Sequence, residues 1–115
     1  FTVLLSAIGQ HKRLAHLPAT QPDRTTVREA MREIWHSVSH PTYLVLISAG
    51  FDAHTRDPLA DINLEEDDFD WATGKLMEVA GRHASNRLVS LLEGGYDLKG
   101  MSLSAAAHVA RLMRG

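Results

Sequence analysis

Hydrophobic and polar positions change their period several times along this chain, and each change predicts an element. Phe1 to Ile8 is apolar enough for a strand before Gly9 and Gln10 interrupt it. His11 to Asp23 has mixed polarity and two prolines, which reads as a connection. A helix is expected from Thr26. Thr26 and Glu29 stand at capping-box spacing, and Val27, Ala30, Met31, Ile34 and Val38 recur on one face. It should end near Ser39, because Pro41 biases His40 away from helical angles.

Tyr43 to Ser48 is an unbroken apolar run, which predicts a strand covered on both faces, as in a parallel sheet. Ala49 to Leu64 follows as a long polar loop containing Gly50 and Pro58, and loops of that length are often functional. A second helix is expected over Glu65 to Ala84, burying Phe69, Ala72, Leu76, Val79 and Ala80. Its first turn carries Glu65, Glu66, Asp67 and Asp68, which suit the positive end of the helix dipole. Arg87 to Leu92 predicts another buried strand, with Glu93-Gly94-Gly95-Tyr96 as its exit loop. Asp97 is placed to cap a last helix whose apolar residues are Leu98, Met101, Ala105, Val109 and Leu112. Strand, helix, strand, helix in that order implies an α/β fold with a parallel sheet and right-handed crossovers.

Composition narrows the picture by exclusion. The 115 residues suffice for one small domain, and 44% apolar content is ordinary for a globular chain. Twelve basic residues are scattered among fourteen acidic ones, leaving no basic stripe to follow a phosphate backbone, so a nucleic-acid partner is not expected. The longest apolar run is far too short to span a bilayer, so no membrane partner is expected either. There are no cysteines, which removes disulfides and thiolate metal sites and fits a reducing compartment such as the cytoplasm. The opening on Phe1, in mid-pattern, reads as a piece of a longer protein.

Chemistry is expected beyond the C-terminal ends of the parallel strands, where such sheets gather ligands. Two segments fall there: Gly50-Phe51-Asp52-Ala53-His54, and Glu93 to Tyr96. If the strands are neighbours, the carboxylate of Asp52 and the phenol of Tyr96 emerge on one edge. On the residues alone, Asp52 can equally cap a turn and Tyr96 can pack over the loop.

These two segments also carry a family resemblance. Ser48-Ala-Gly-Phe-Asp-Ala-His-Thr-Arg-Asp-Pro-Leu59 resembles the third metal-ligand motif of the zinc-dependent histone deacetylase superfamily, nearest its class II and bacterial amidohydrolase-like branch. Leu92-Glu-Gly-Gly-Tyr-Asp97 resembles the tyrosine loop of the same family, and Asn63 to Phe69 between them has the family's spacing. The likeness runs from Thr42 to Met113, extends to the preceding helix and is weak before Thr26. Residues 1–115 would then be the C-terminal part of one catalytic domain, with 1–25 poorly matched and 26–115 family-like.

The resemblance implies the three-layer α/β/α arginase–deacetylase fold and hydrolysis of an N-acyl amide. It makes Asp52 a zinc ligand, the other ligands being an Asp-x-His pair outside this chain along with the histidines that move protons. It makes Tyr96 the carbonyl-activating donor, a role typically worth roughly 3–4 kcal/mol of transition-state stabilisation. Gly94 and Gly95 would leave room for substrate, and Leu59 would line the channel for an acylated lysine. The polyamine-specific branch carries an acidic residue at the position of Leu59, so an apolar residue favours acyl-lysine over a small acylated amine. His54 is expected to be a loop residue and not a ligand, although Asp52 and His54 form an Asp-x-His triplet themselves. His11, His16, His36, His40, His83 and His108 have no ligand-like grouping, and surface or helix-face positions are expected for them. Trp35 and Trp71 are expected to be packing residues. With one carboxylate and no base, these residues by themselves are expected to be inactive. A pseudoenzyme used as a binding module, or an amidohydrolase of acylated polyamines or other small amides, are the alternatives.

Overall fold

The computed structural model describes residues 2–7, 10–14, 24, 25, 28, 29, 32, 43–59 and 63–115. The elements are β1 (Thr2–Ala7), β2 (Gln10–Leu14), β3 (Leu44–Ala49), α1 (Glu66–His83), β4 (Leu88–Leu92) and α2 (Leu98–Arg114). They form a four-stranded sheet in the order β2-β1-β3-β4. β3 and β4 are parallel, in the register Ile47↔Ser90, as the alternation of strands and helices implies. β1 adds antiparallel to β3, and β2 antiparallel to β1.

β2 corrects the expectation of a connection from His11 onward. Its residues are Gln-His-Lys-Arg-Leu, so the strand is made by backbone pairing with β1 and offers no hydrophobic run to read. Arg24 and Thr25 are already helical, ahead of the cap expected at Thr26, and Arg28, Glu29 and Arg32 are helical too. Thr26 itself, the apolar face expected of that helix, and Trp35 lie outside the described residues.

The core sits between β3 and α1. Val45, Ile47 and Ala49 alternate inward from β3 to meet Phe69, Ala72, Leu76, Val79 and Ala80, the face of α1 that helical spacing marks as apolar. Trp71 packs at the edge of this core under the guanidinium groups of Arg28 and Arg32, which agrees with a packing role. The loop after β3 is anchored by its own apolar residues. Phe51, Ala53 and Leu64 are buried, and Phe51 meets Phe69 edge to face at 5.3 Å between ring centroids. Leu64 closes the loop, donating its N–H to Ala53 O and accepting from Thr55 N–H.

One expectation about burial is corrected. β4 is more open than expected of a buried strand: among the described residues Val89 and Leu91, which alternate away from Ser90 and its contact with His108, are exposed, and so is Leu92 at the end of the strand. In α2 the buried residues are Gly100, Ser104 and His108. Met101 and Ala105 flank the core, whereas Leu98 and Val109 are exposed. His108 turns inward with partners on both sides: its Nδ1 lies 2.6 Å from Thr73 Oγ1 on α1, and its Nε2 lies 2.9 Å from Ser90 Oγ on β4, whereas Ser104 Oγ is buried without a hydrogen-bond partner among the described residues. His108, for which a surface or helix-face position was expected, is therefore on the buried face of its helix.

Candidate active site

Both sequence segments leave the sheet at the same edge, since Ala49 and Leu92 are register partners at the ends of β3 and β4. The two exit loops then bond to each other: Phe51 N–H donates to Gly94 O at 2.8 Å, and Glu93 N–H to Ala49 O at 3.1 Å. Asp52 lies between two buried neighbours, Phe51 and Ala53, which hold the backbone down while its own side chain stays partly exposed. Its carboxylate rests on two glycines. A Cβ at Gly50 would come within 3.2 Å of Asp52 Oδ1 and press on the carboxylate, whereas one at Gly94 would stand in ordinary contact with its Cγ at 3.6 Å.

Tyr96 stands on the neighbouring loop and is 62% exposed. Gly95 before it has φ of +139°, a conformation side-chain-bearing residues resist, and a Cβ there would fall 2.9 Å from Met101 Cγ. Asp97 after it caps α2, accepting Gly100 N–H at 2.7 Å, which with a longer contact to Arg56 Nε holds its pKa below the ordinary value. Tyr96 is thus placed between a forced turn and a helix start.

The structure brings Asp52, Gly50 and Gly94 together directly, and ties Tyr96 and Leu59 together through one more residue. Asp57 Oδ2 accepts Tyr96 N–H at 2.8 Å, and Asp57 Oδ1 accepts Leu59 N–H at 2.9 Å. Among the described residues no hydrogen bond joins Asp52 to Tyr96, and Leu59 is 67% exposed. Asp57 is not marked by the motif as a link between the loops, because its partner Tyr96 is 39 residues further along the chain.

His54 follows Asp52 by two residues in the same loop. It is buried against the first turn of α2, where a Cβ at Gly100 would lie 2.7 Å from its Nδ1. Nδ1 accepts Arg56 N–H at 3.1 Å, and Nε2 faces Glu66 Oε1 at 3.5 Å. No group of three His, Asp or Glu side chains is arranged to hold a metal among the described residues.

A parallel β3–β4 pair with a carboxylate and a tyrosine on its exit loops defines an α/β chain with a site at the strand ends. The chain belongs to the histone deacetylase family, whose domain matches residues 6–112. It is 45% identical over 69 residues to the type-2 histone deacetylase 1 of Dictyostelium discoideum, a match covering 60% of this chain and 5% of that protein. With the histone deacetylase-like amidohydrolase of Pseudomonas aeruginosa it shares 45% identity over 54 residues, 47% of this chain and 14% of that one. Among solved structures it resembles the HD domain of HDA15, with a TM-score of 0.50 at 34% identity, covering 59% of this chain and 18% of that chain. The chain thus spans a small part of its relatives' length and carries the βαβα portion of the three-layer arginase–deacetylase fold.

Proposed function

We propose that the intact protein is a zinc-dependent hydrolase of N-acyl amides acting on acyl-lysine, to which this chain contributes Asp52 as a metal ligand and Tyr96 as the carbonyl-activating donor. The observation that carries this reading is the placement of Asp52. Its carboxylate has no hydrogen-bond or ion-pair partner among the described residues, and it stands at the strand ends against Gly50 and Gly94. A carboxylate left open in this way fits one ligand of a shared metal site, with the remaining ligands supplied from outside the described residues. Bound there, zinc would supply Lewis-acid polarisation and a more acidic water.

The residues of this chain would act around the acyl carbon. As water adds to it, negative charge develops on the carbonyl oxygen, and the Tyr96 O–H donates a hydrogen bond to that oxygen. Collapse breaks the C–N bond and leaves a carboxylate and a free amine. Gly94 and Gly95 place no side chain between Asp52 and the approaching substrate. Leu59 offers an apolar surface to the methylene stem of lysine and no charge to attract a second ammonium.

The test is hydrolysis of an acetyl-lysine peptide by the intact protein, with zinc content measured on the same samples. Tyr96→Phe is expected to lose about 100-fold or more in kcat with zinc retained, and Asp52→Ala to lose zinc. A zinc-loaded protein that cleaves acylated polyamines and spares the peptide would replace acyl-lysine as the substrate. A protein that binds no zinc would leave only the binding-module alternative.

A further inference from the structure

We infer that Asp57 is a positioning residue that couples the two loops of the site and fixes where Tyr96 stands relative to Leu59, an inference that rests on the amide-hydrolase reading above. Asp57 is only 8% exposed, and its two oxygens serve different loops. Oδ1 accepts Leu59 N–H within its own loop, an Asx turn in which Pro58 occupies the position that needs no donor. Oδ2 accepts Tyr96 N–H, 39 residues further along. An ionised carboxylate offers acceptors only, and each partner here is a donor, so one rigid planar group sets the distance between two backbones.

The bond falls where it has most leverage on the phenol. Gly94 is held by Phe51, and Asp97 is held by the first turn of α2. Tyr96 lies between these anchors, next to a glycine in a conformation that other residues resist. Among the described residues the backbone of Tyr96 has no other bond across to the first loop, and a small rotation there moves the hydroxyl through a larger arc. A displacement of roughly 1 Å in a catalytic group costs on the order of 100-fold in rate. The remaining ties between the loops, from Phe51 to Gly94 and from Arg56 to Asp97, keep the loops adjacent when Asp57 is changed.

Two arms test this on the intact, zinc-loaded protein. In hydrogen–deuterium exchange, peptides containing the Leu59 and Tyr96 amides should exchange faster in Asp57→Ala, with peptides from α1 unchanged. Unchanged exchange at both sites overturns the coupling, whatever the catalytic result. In the kinetic arm, Asp57→Asn keeps the shape but presents an NH2 to one N–H. It should lower kcat by about 10- to 100-fold with KM nearly constant. Placed in a Tyr96→Phe background, the same change should cost less than about threefold, because a residue acting through the phenol has nothing left to position. Losses that multiply in the double variant mean a structural role only and overturn the inference. A wild type without amidase activity, or a Tyr96→Phe variant at full rate, sinks the amide-hydrolase reading, and the exchange arm then still decides whether Asp57 ties the loops. Should Asp57→Ala not fold, Asp57→Asn serves both arms.

Discussion

The Nδ1 of His108 and the Oγ1 of Thr73 lie 2.6 Å apart in the interior, joining α2 to α1. Thr73 spends its one hydroxyl proton on Phe69 O at 2.6 Å, so His108 is the donor at Nδ1. The neutral ring then accepts from Ser90 Oγ at Nε2, and one imidazole ties α1, β4 and α2 together without a net charge. The edge of Phe51 packs against the same ring at 5.9 Å, which links this network to the base of the Asp52 loop.

Burial pushes the pKa of His108 below its ordinary value. Unfolding returns it to about 6.5, so the unfolded state binds the proton more readily. Stability from this group is therefore full above about pH 6.5 and is lost as the pH falls through the folded pKa. The steepest contribution is about 1.4 kcal/mol per pH unit. Urea unfolding at a series of pH values should show this decline, and His108→Gln should flatten it.

Thr73→Val keeps the shape of the side chain and removes the acceptor for His108. A buried N–H left unsatisfied costs about 1–3 kcal/mol, measured as a drop in unfolding free energy. Adding His108→Leu should recover part of that loss, because both polar partners are then gone. A double variant less stable than Thr73→Val would show that packing, not the hydrogen bond, dominates at this position.

Asp68 should matter far more than its neighbour Asp67. It is buried at the start of α1 and accepts from Arg24 Nε at 2.7 Å, Arg28 Nε at 2.8 Å and Glu65 N–H at 2.9 Å. Its bond, followed by that of Asp67, raises the pKa of Arg24. Asp68→Asn should lower stability by about 1–3 kcal/mol, whereas Asp67→Asn, whose side chain is 67% exposed, should cost less than about 1 kcal/mol. Thermal unfolding of the two variants side by side checks the ranking.

Gly95→Ala combines a backbone conformation that resists side chains with a collision at Met101. A loss of about 1–3 kcal/mol in stability is expected, together with a fall in amide hydrolysis as the Tyr96 loop shifts. A second change, Met101→Ala, should relieve the collision and restore part of the stability but not the backbone strain. Melting temperature and kcat of the two variants separate these effects.

The strands from Leu44 and Leu88, the helix from Glu66 to His83 and the Asp97 cap were legible along the chain, because each depends on neighbours within a few residues: an apolar run, a 3.6-residue period, a capping side chain. The motifs around Asp52 and Tyr96 were legible for the same reason, as were the glycines beside them. Other features rest on partners distant in sequence. The burial of His108 on α2 rests on Thr73 and Ser90, 35 and 18 residues away, so nothing along that helix marked it as interior. The exposure of Val89 and Leu91 follows from which face of β4 meets α2, where Ser90 turns to His108, and no local pattern encodes that choice. The bond from Asp57 to Tyr96 spans 39 residues and exists only because parallel pairing brings both loops to one edge. Local chemistry along the chain determined the elements from Leu44 onward and the candidate site side chains; tertiary pairing added β2, decided which faces are buried and set what holds those side chains in place.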